Sequence, residues 1–144
     1  FNSMQLNMGN NKYHNISHQL DIAKTDWSWA GLIFDYNLDG NEDIFLAQNF
    51  FDVDSETSRY DAGLGQLVLG DGKGGFKAIS GKQSGIGVFG QSRGSVASDF
   101  NGDGRVDIAT TQNNDSIKLY FINATNVIYT YIIKNVQSNN HDIK

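Results

Sequence analysis

Two acidic loops, beginning at Asp35 and Asp99 and so 64 residues apart, constrain the fold of this 144-residue chain most. They lie in "FDYNLDGNEDIFLA" (34–47) and "SDFNGDGRVDIATT" (98–111). Each carries an acid or amide at every second position, then Gly, a further Asp three residues on, and an apolar run rich in β-formers. The spacing predicts a repeated unit built around a polar turn.

Short runs with β-branched and aromatic residues dominate the rest of the chain, and turn clusters such as "GDGKGG" and "QNNDS" separate them. No segment carries a helical apolar stripe of useful length, so the sequence predicts an all-β fold. The predicted strands are "SWAGLIF", "DIFLAQ", "GQLVLG", "GSVAS", "VDIATTQ", "IKLYFI" and "VIYTYIIK".

Each repeat is predicted to hold four antiparallel strands with the acidic loop between the first and the second, a pattern typical of propeller blades. We therefore divide the chain into the last hairpin of a preceding blade with its linker (1–25), two whole blades (26–80 and 81–134) and a polar tail (135–144). That makes about two and a half blades.

The alternating oxygens of each loop are predicted to converge on a cation, since crowded carboxylates repel one another without one. Gly40 and Gly104 permit the bend that brings the later ligands round. Six or seven oxygen ligands suit Ca²⁺, and the lack of His and Cys in the loops disfavours Zn²⁺. The predicted ligands of two Ca²⁺ sites are Asp35, Asn37, Asp39, Asn41 (carbonyl) and Asp43, and Asp99, Asn101, Asp103, Arg105 (carbonyl) and Asp107.

Two other interpretations compete for these loops. They are simple polar turns if Asn, Asp and Gly serve only to reverse the chain. They are EF-hands or dockerin loops if a Glu at position twelve and flanking helices complete them. Position twelve is Leu46 in one loop and Thr110 in the other, and the flanks are predicted strands, which disfavours the EF-hand and dockerin.

The composition disfavours several kinds of binding partner and site. The net charge is −5 and the pI about 4.9, which disfavours nucleic acid as a partner. No apolar run reaches the roughly 18 residues of a membrane span. The chain has no Cys, so disulfides and thiolate metal sites are excluded. It starts at Phe1 rather than Met, from which we expect a processed or excised piece of a longer chain.

The quoted loops, together with "DWSWAGLIF", "LVLGDGKGGF" and "GQSRGSVAS", resemble the FG-GAP or VCBS repeat of integrin α-subunit propellers and bacterial secreted proteins. More narrowly, residues 26–122 resemble the repeats of cartilage acidic protein-like proteins of bacteria. The resemblance implies β-propeller blades with a Ca²⁺ in the loop joining the first two strands, and it carries the ligand role onto the ten positions above. Leu38 departs from the family, which more often has a polar residue there.

The function expected from this resemblance is that of a non-enzymatic calcium-binding scaffold for adhesion or protein interaction, secreted, periplasmic or on a cell surface. One alternative is a calcium-stabilised surface protein that assembles into rings or filaments; the missing blades otherwise come from a parent chain. Another is a carbohydrate-binding or ancillary part of a secreted polysaccharide-active enzyme, with Trp27 or Trp29 stacking on a sugar. The expected ligand is a protein or a glycan.

Overall fold

A computed structural model describes residues 2–20, 28–48, 65–88, 90–113 and 115–123, and the backbone alone of 128–133. The described part is all-β, as predicted, with a single helical turn, α1 (Gly81–Ser84). The strands are β1 (Gln5–Asn7), β2 (Tyr13–Asn15), β3 (Ser28–Phe34), β4 (Asp43–Gln48), β5 (Gln66–Gly70), β6 (Phe76–Ile79), β7 (Ser92–Ser98), β8 (Asp107–Gln112), β9 (Ile117–Ile122) and β10 (Ile128–Ile133).

The strands form one two-stranded hairpin and two four-stranded sheets, all antiparallel. The first sheet has the order β3-β4-β5-β6 and the second the order β7-β8-β9-β10, so neighbours in sequence are neighbours in space. One acidic loop joins β3 to β4 and the other joins β7 to β8. The described residues contain these two sheets and the hairpin, and no closed ring of sheets.

The repeat extends to the irregularities of the sheets. The pairing of β3 with β4 shifts register between Ser28 and Ala30, and that of β7 with β8 shifts between Ser92 and Gly94. Each first strand therefore has a β-bulge at the same place, which holds Trp29 in one sheet and Arg93 in the other.

The main core lies between the two four-stranded sheets. Alternate residues of β3, including Ala30, Leu32 and Phe34, pack there against residues of the second sheet such as Ile108 and Tyr120. The first strands of the two sheets, β3 and β7, make the most extensive contact between sheets. The sheets thus meet face to face with their acidic loops on matching connections.

A smaller core covers the opposite face of the first sheet. There Ile44, Leu46 and Val68 are buried beneath Met4 and Leu20, which flank the β1–β2 hairpin. This hairpin, predicted within residues 1–25, therefore packs on the first sheet. Among the described residues, no helix is long and apolar enough to cross a membrane.

Some predictions fall outside the described residues. Trp27 and the polar tail 135–144 are among them, and the proposed division of the chain at 25, 80 and 134 stays a prediction. Among the predicted strands, β7 begins two residues before the predicted Gly94, because Ser92 pairs with Gln112 across the bulge.

Candidate metal-binding loops

The first acidic loop is organised by hydrogen bonds from its own backbone. The Asp35 carboxylate accepts the N–H groups of Asp39 at 3.1 Å and Gly40 at 2.9 Å. The Asn37 side-chain oxygen also accepts from Asp39 N–H at 3.1 Å, and the Asp39 carboxylate accepts from Asn41 N–H at 2.8 Å. The side chains at alternate positions thus bend back over the turn and hold it in one conformation.

The second loop repeats this network. The Asp99 carboxylate accepts from Asp103 N–H at 3.1 Å and Gly104 N–H at 2.8 Å. Asn101 accepts from Asp103 N–H, and Asp103 accepts from Arg105 N–H, both at 2.9 Å. In both loops the amide of the Asn donates to the third side chain, Asp39 or Asp103. Because five hydrogen bonds correspond between the two loops, the loop conformation is part of the structural repeat.

The last Asp of each motif has a different environment from the other four predicted ligands, since Asp43 and Asp107 have no exposed surface. The two oxygens of Asp43 accept from Tyr36 N–H in the loop, at 2.9 Å, and from Gly70 N–H at the end of β5, at 2.8 Å. Asp107 accepts in the same way from Phe100 N–H in its loop and from the end of β9, at 3.0 Å each. Each buried carboxylate therefore ties its loop to the third strand of its sheet.

The bond from Ile122 N–H, at the end of β9, to Asp107 reveals a role of the motif that the sequence did not predict. The spacing of the acids predicted a metal ligand, and it carries no sign that the same carboxylate bridges to a strand fifteen residues further on. At the matching point of the first sheet, a Cβ on Gly70 would overlap the carbonyl oxygen of Glu42. In the sequence, the Gly that ends "QLVLG" was the sign that the backbones of Gly70 and Glu42 approach closely.

The two loops also share backbone conformations that are uncommon for residues with a side chain. Gly40 and Gly104 have φ of 84° and 83°, in the left-handed region that the bend requires. At the turn before them, Gly102 has φ of 76°, whereas Leu38 has φ of 59°. The departure of Leu38 from the family pattern therefore places a half-exposed leucine where the chain favours glycine or asparagine.

The hydrogen bonds change the acidity of the loop carboxyls. A bond from the Asn37 side chain, with one from Asn41 N–H, lowers the pKa of Asp39, and a bond from Gly104 N–H lowers the pKa of Asp99. Burial instead raises the pKa of Asp43, against the opposing effect of its N–H bonds from Gly70 and Tyr36. The rims of the loops thus favour ionised carboxylates, and the buried end of the first loop disfavours charge.

The donor chemistry of the loops fits Ca²⁺. All predicted ligand atoms are hard oxygens, and a carboxylate oxygen that accepts one N–H retains a second lone pair. Within the part of the chain that the structure describes, no three acidic or His side chains are grouped closely enough to form a preformed metal centre. The structure brings the predicted side chains of each motif to one turn, and the ten ligand assignments stay a prediction.

Trp29 and Arg93, the two bulge residues, meet at the boundary between the sheets. The guanidinium carbon of Arg93 lies 4.3 Å from the centroid of the Trp29 ring, within the range of a cation–π interaction. The observed stack joins the first strands of the two sheets and leaves Trp29 46% exposed.

Comparison with known proteins supports the repeat. A search of curated proteins gives no match to this chain. A sequence model described as an FG-GAP-like repeat matches residues 35–110, from the start of the first acidic loop into β8. The match includes both acidic loops and covers more than half of the chain. The chain therefore belongs to the FG-GAP-like repeat family.

Proposed function

We propose that this chain is a calcium-binding module of β-propeller type that acts as a non-enzymatic scaffold for adhesion or protein interaction. The observation that carries the proposal is that five hydrogen bonds correspond between the two loops, each of which lies between the first two strands of a four-stranded sheet. A turn that only reverses the chain does not require oxygen atoms at five fixed positions, whereas a Ca²⁺ site requires a fixed set of oxygen ligands.

In this proposal each loop holds one ion through the positions that the family pattern assigns. The first would use Asp35, Asn37, Asp39, the carbonyl of Asn41, and Asp43; the second would use Asp99, Asn101, Asp103, the carbonyl of Arg105, and Asp107. Bound Ca²⁺ would supply positive charge that offsets the three carboxylates of a loop. The chain's own contribution is to hold the turn open to the ion through the N–H bonds behind the ligands.

The consequence for the scaffold is mechanical. Because Asp43 and Asp107 also bind the third strand of their sheets, an ion held by either loop would stiffen the connection between three strands. Extracellular Ca²⁺ modules bind at roughly 10⁻⁴–10⁻³ M, so such a module would be rigid outside a cell and looser in cytosol. This supports the proposed location in the periplasm, in secretions or on a cell surface.

Thermal unfolding in excess chelator and in 10 mM Ca²⁺ tests the proposal. At a tenfold to hundredfold excess over Kd, each site would add about 1.4–2.7 kcal/mol of stability. Asp39→Asn and Asp103→Asn keep an acceptor oxygen for the backbone but remove a charge from each loop. We expect the double variant to unfold in chelator much as the parent does and to lose the Ca²⁺-dependent rise in midpoint.

Asp115→Asn is the matched control, because Asp115 is also an exposed acid that accepts a backbone N–H group, from Ser116 at 2.7 Å, in the turn between β8 and β9 and outside the acidic loops. It should keep the full calcium response. If the thermal midpoint of the unsubstituted chain is the same in chelator and in Ca²⁺, the loops are turns only. The proposed function then loses its basis.

A further inference from the structure

The connection between β5 and β6 lies beside the first acidic loop. Asp43 accepts the N–H of Gly70 at 2.8 Å, and a Cβ on Gly70 would overlap the carbonyl oxygen of Glu42. One residue further back in the loop, the side chain of Asn41 lies against Gly72. Three consecutive residues at the end of the loop therefore contact this connection.

The connection, residues 71–75 and named the β5–β6 turn here, is closed by its own hydrogen bonds. The Asp71 carboxylate accepts the N–H groups of Lys73 and Gly75 at 2.8 Å each. The Asp71 N–H donates to the carbonyl of Gly75 at 3.0 Å. Because these bonds lie within the turn, it holds its shape without help from the acidic loop.

Gly72 leaves open the space that the side chain of Asn41 occupies. A Cβ on Gly72 would overlap Oδ1 of Asn41 and would lie 3.0 Å from its Cγ. The second repeat lacks both residues of this contact: Arg105 stands at the position of Asn41, and residues 123–127, which join β9 to β10, contain no Gly. The contact therefore belongs to the first repeat specifically.

Asn41 connects this contact to the predicted ligands of the first loop. Its N–H donates to the Asp39 carboxylate at 2.8 Å, and its carbonyl is itself a predicted ligand. Bonds from the Asn37 side chain, and from the N–H and the side chain of Asn41, lower the pKa of Asp39. Asn37 and Asp39 also line a cleft of about 530 Å³ together with Asp71 and Gly75 of the turn. The turn thus lies next to the side chains that would hold the ion.

We propose that the β5–β6 turn supports the first calcium site and that Gly72 is a positioning residue for it; this inference rests on the proposed function. Gly72 admits the side chain of Asn41 and so keeps Asn41 and Asp39 in the arrangement that the ion requires. Since the turn is closed by its own bonds, a methyl group at Gly72 would displace Asn41 rather than the turn. Residues that support metal ligands typically change metal affinity by 10- to 100-fold when they are replaced.

A Ca²⁺ titration followed by ¹⁵N–¹H NMR tests the inference, with the N–H resonances of Gly40 and Gly104 reporting on the first and second loops. Gly72→Ala should weaken Ca²⁺ binding at the first loop about tenfold and leave the second loop unchanged. A titration to about 50 mM covers this loss for sites of roughly 10⁻⁴–10⁻³ M. Gly74→Ala is the matched control and should change neither loop. Gly74 has φ of 91°, as Gly72 has φ of 68°, but its Cβ would meet no described atom within 4 Å.

Asn41→Ala separates positioning from general damage to the turn. It keeps the backbone carbonyl and removes the side chain that Gly72 admits, without backbone strain in the turn. It should weaken the first loop by a similar factor, and adding Gly72→Ala to it should cause no further loss, because both changes remove one contact. Thermal midpoints measured in chelator establish that each variant is folded.

The outcomes distinguish this inference from the proposed function. If Gly72→Ala leaves the first loop unchanged, if Gly74→Ala weakens it equally, or if the losses in the double variant multiply, the inference is wrong while calcium binding stands. If neither Gly40 nor Gly104 responds to Ca²⁺ in the unsubstituted chain, the proposed function fails and the inference fails with it.

Discussion

The buried carboxylate Asp107 gives the sharpest test of how the loops are joined to the sheets. It has no exposed surface, and its two oxygens accept the N–H groups of Phe100 and Ile122 at 3.0 Å each. Asp107→Asn keeps the shape but replaces one acceptor with an NH₂ donor. One of the two backbone N–H groups then faces a donor and loses a charge-assisted bond. The more costly loss is that of Ile122 N–H, because its bond to Asp107 is buried.

A bond of this kind contributes about 1.5–3 kcal/mol, and its loss already includes part of the cost of about 1–3 kcal/mol for an unsatisfied buried N–H, so we expect a loss of about 2–4 kcal/mol. For a chain of this size, that lowers the thermal midpoint by roughly 5–15 °C. Thermal and urea unfolding in excess chelator measure the loss without any contribution from metal.

Asp115→Asn is the control for this substitution. Asp115 is exposed and accepts from the neighbouring Ser116 N–H, at 2.7 Å. Its replacement should cost no more than about 0.5 kcal/mol. If Asp107→Asn in chelator is no more destabilising than this control, the buried carboxylate does not tie the loop to the third strand and our interpretation of the motif is wrong.

Three further predictions concern single positions. Exchanging the residues at the first left-handed position of each loop should have opposite effects: Leu38→Gly should stabilise the chain by up to about 1 kcal/mol and Gly102→Leu destabilise it by about 1 kcal/mol, and equal signs in urea unfolding would contradict the strain argument. Gly70→Ala should destabilise strongly because its Cβ would overlap a backbone carbonyl, whereas Gly31→Ala, whose Cβ would lie 3.6 Å from the nearest side-chain atom, should not; similar thermal midpoints would refute the close approach. Backbone bonds from the turn after β5 hold the pKa of Asp71 below 3.8, so its stabilising effect is present above about pH 4 and is lost as pH falls through the lowered pKa. Stability measured from pH 6 to pH 2 in chelator should therefore fall less steeply in Asp71→Asn than in the parent, and parallel curves would contradict this.

Much of the fold could be predicted from local pattern. Period-two runs separated by Asn, Asp and Gly identify the strands, and the spacing between Asp35 and Asp99 reveals that the unit repeats. Strand bounds were accurate where a turn cluster follows directly, as after Phe34. They were less accurate at β7, where a bulge allows pairing to begin at Ser92, because a bulge depends on the partner strand and leaves no periodic signal.

The sequence predicted which residues form the site, but it did not predict the role of each residue. Alternation identified the exposed acids Asp39 and Asp103 and the amides that bind them. It gave all five positions of a motif the same role, whereas Asp43 and Asp107 are buried and bonded to strands distant in sequence. Burial and long-range bonds arise from the packing of the sheet, which the loop sequence does not contain. The stack of Arg93 on Trp29 escaped prediction for the same reason.

The central claim is that each acidic loop binds one Ca²⁺, and an ¹⁵N–¹H NMR titration reports on the two loops separately. The N–H groups of Gly40 and Gly104 donate to Asp35 and Asp99, so their resonances lie beside the predicted ligands. We predict that both move and saturate by 10 mM Ca²⁺ while that of Gly94, near the start of β7 and away from the loop that follows this strand, stays in place. We also predict that Asp39→Asn abolishes the movement of Gly40 alone. Resonances of Gly40 and Gly104 that do not move with calcium would contradict the account.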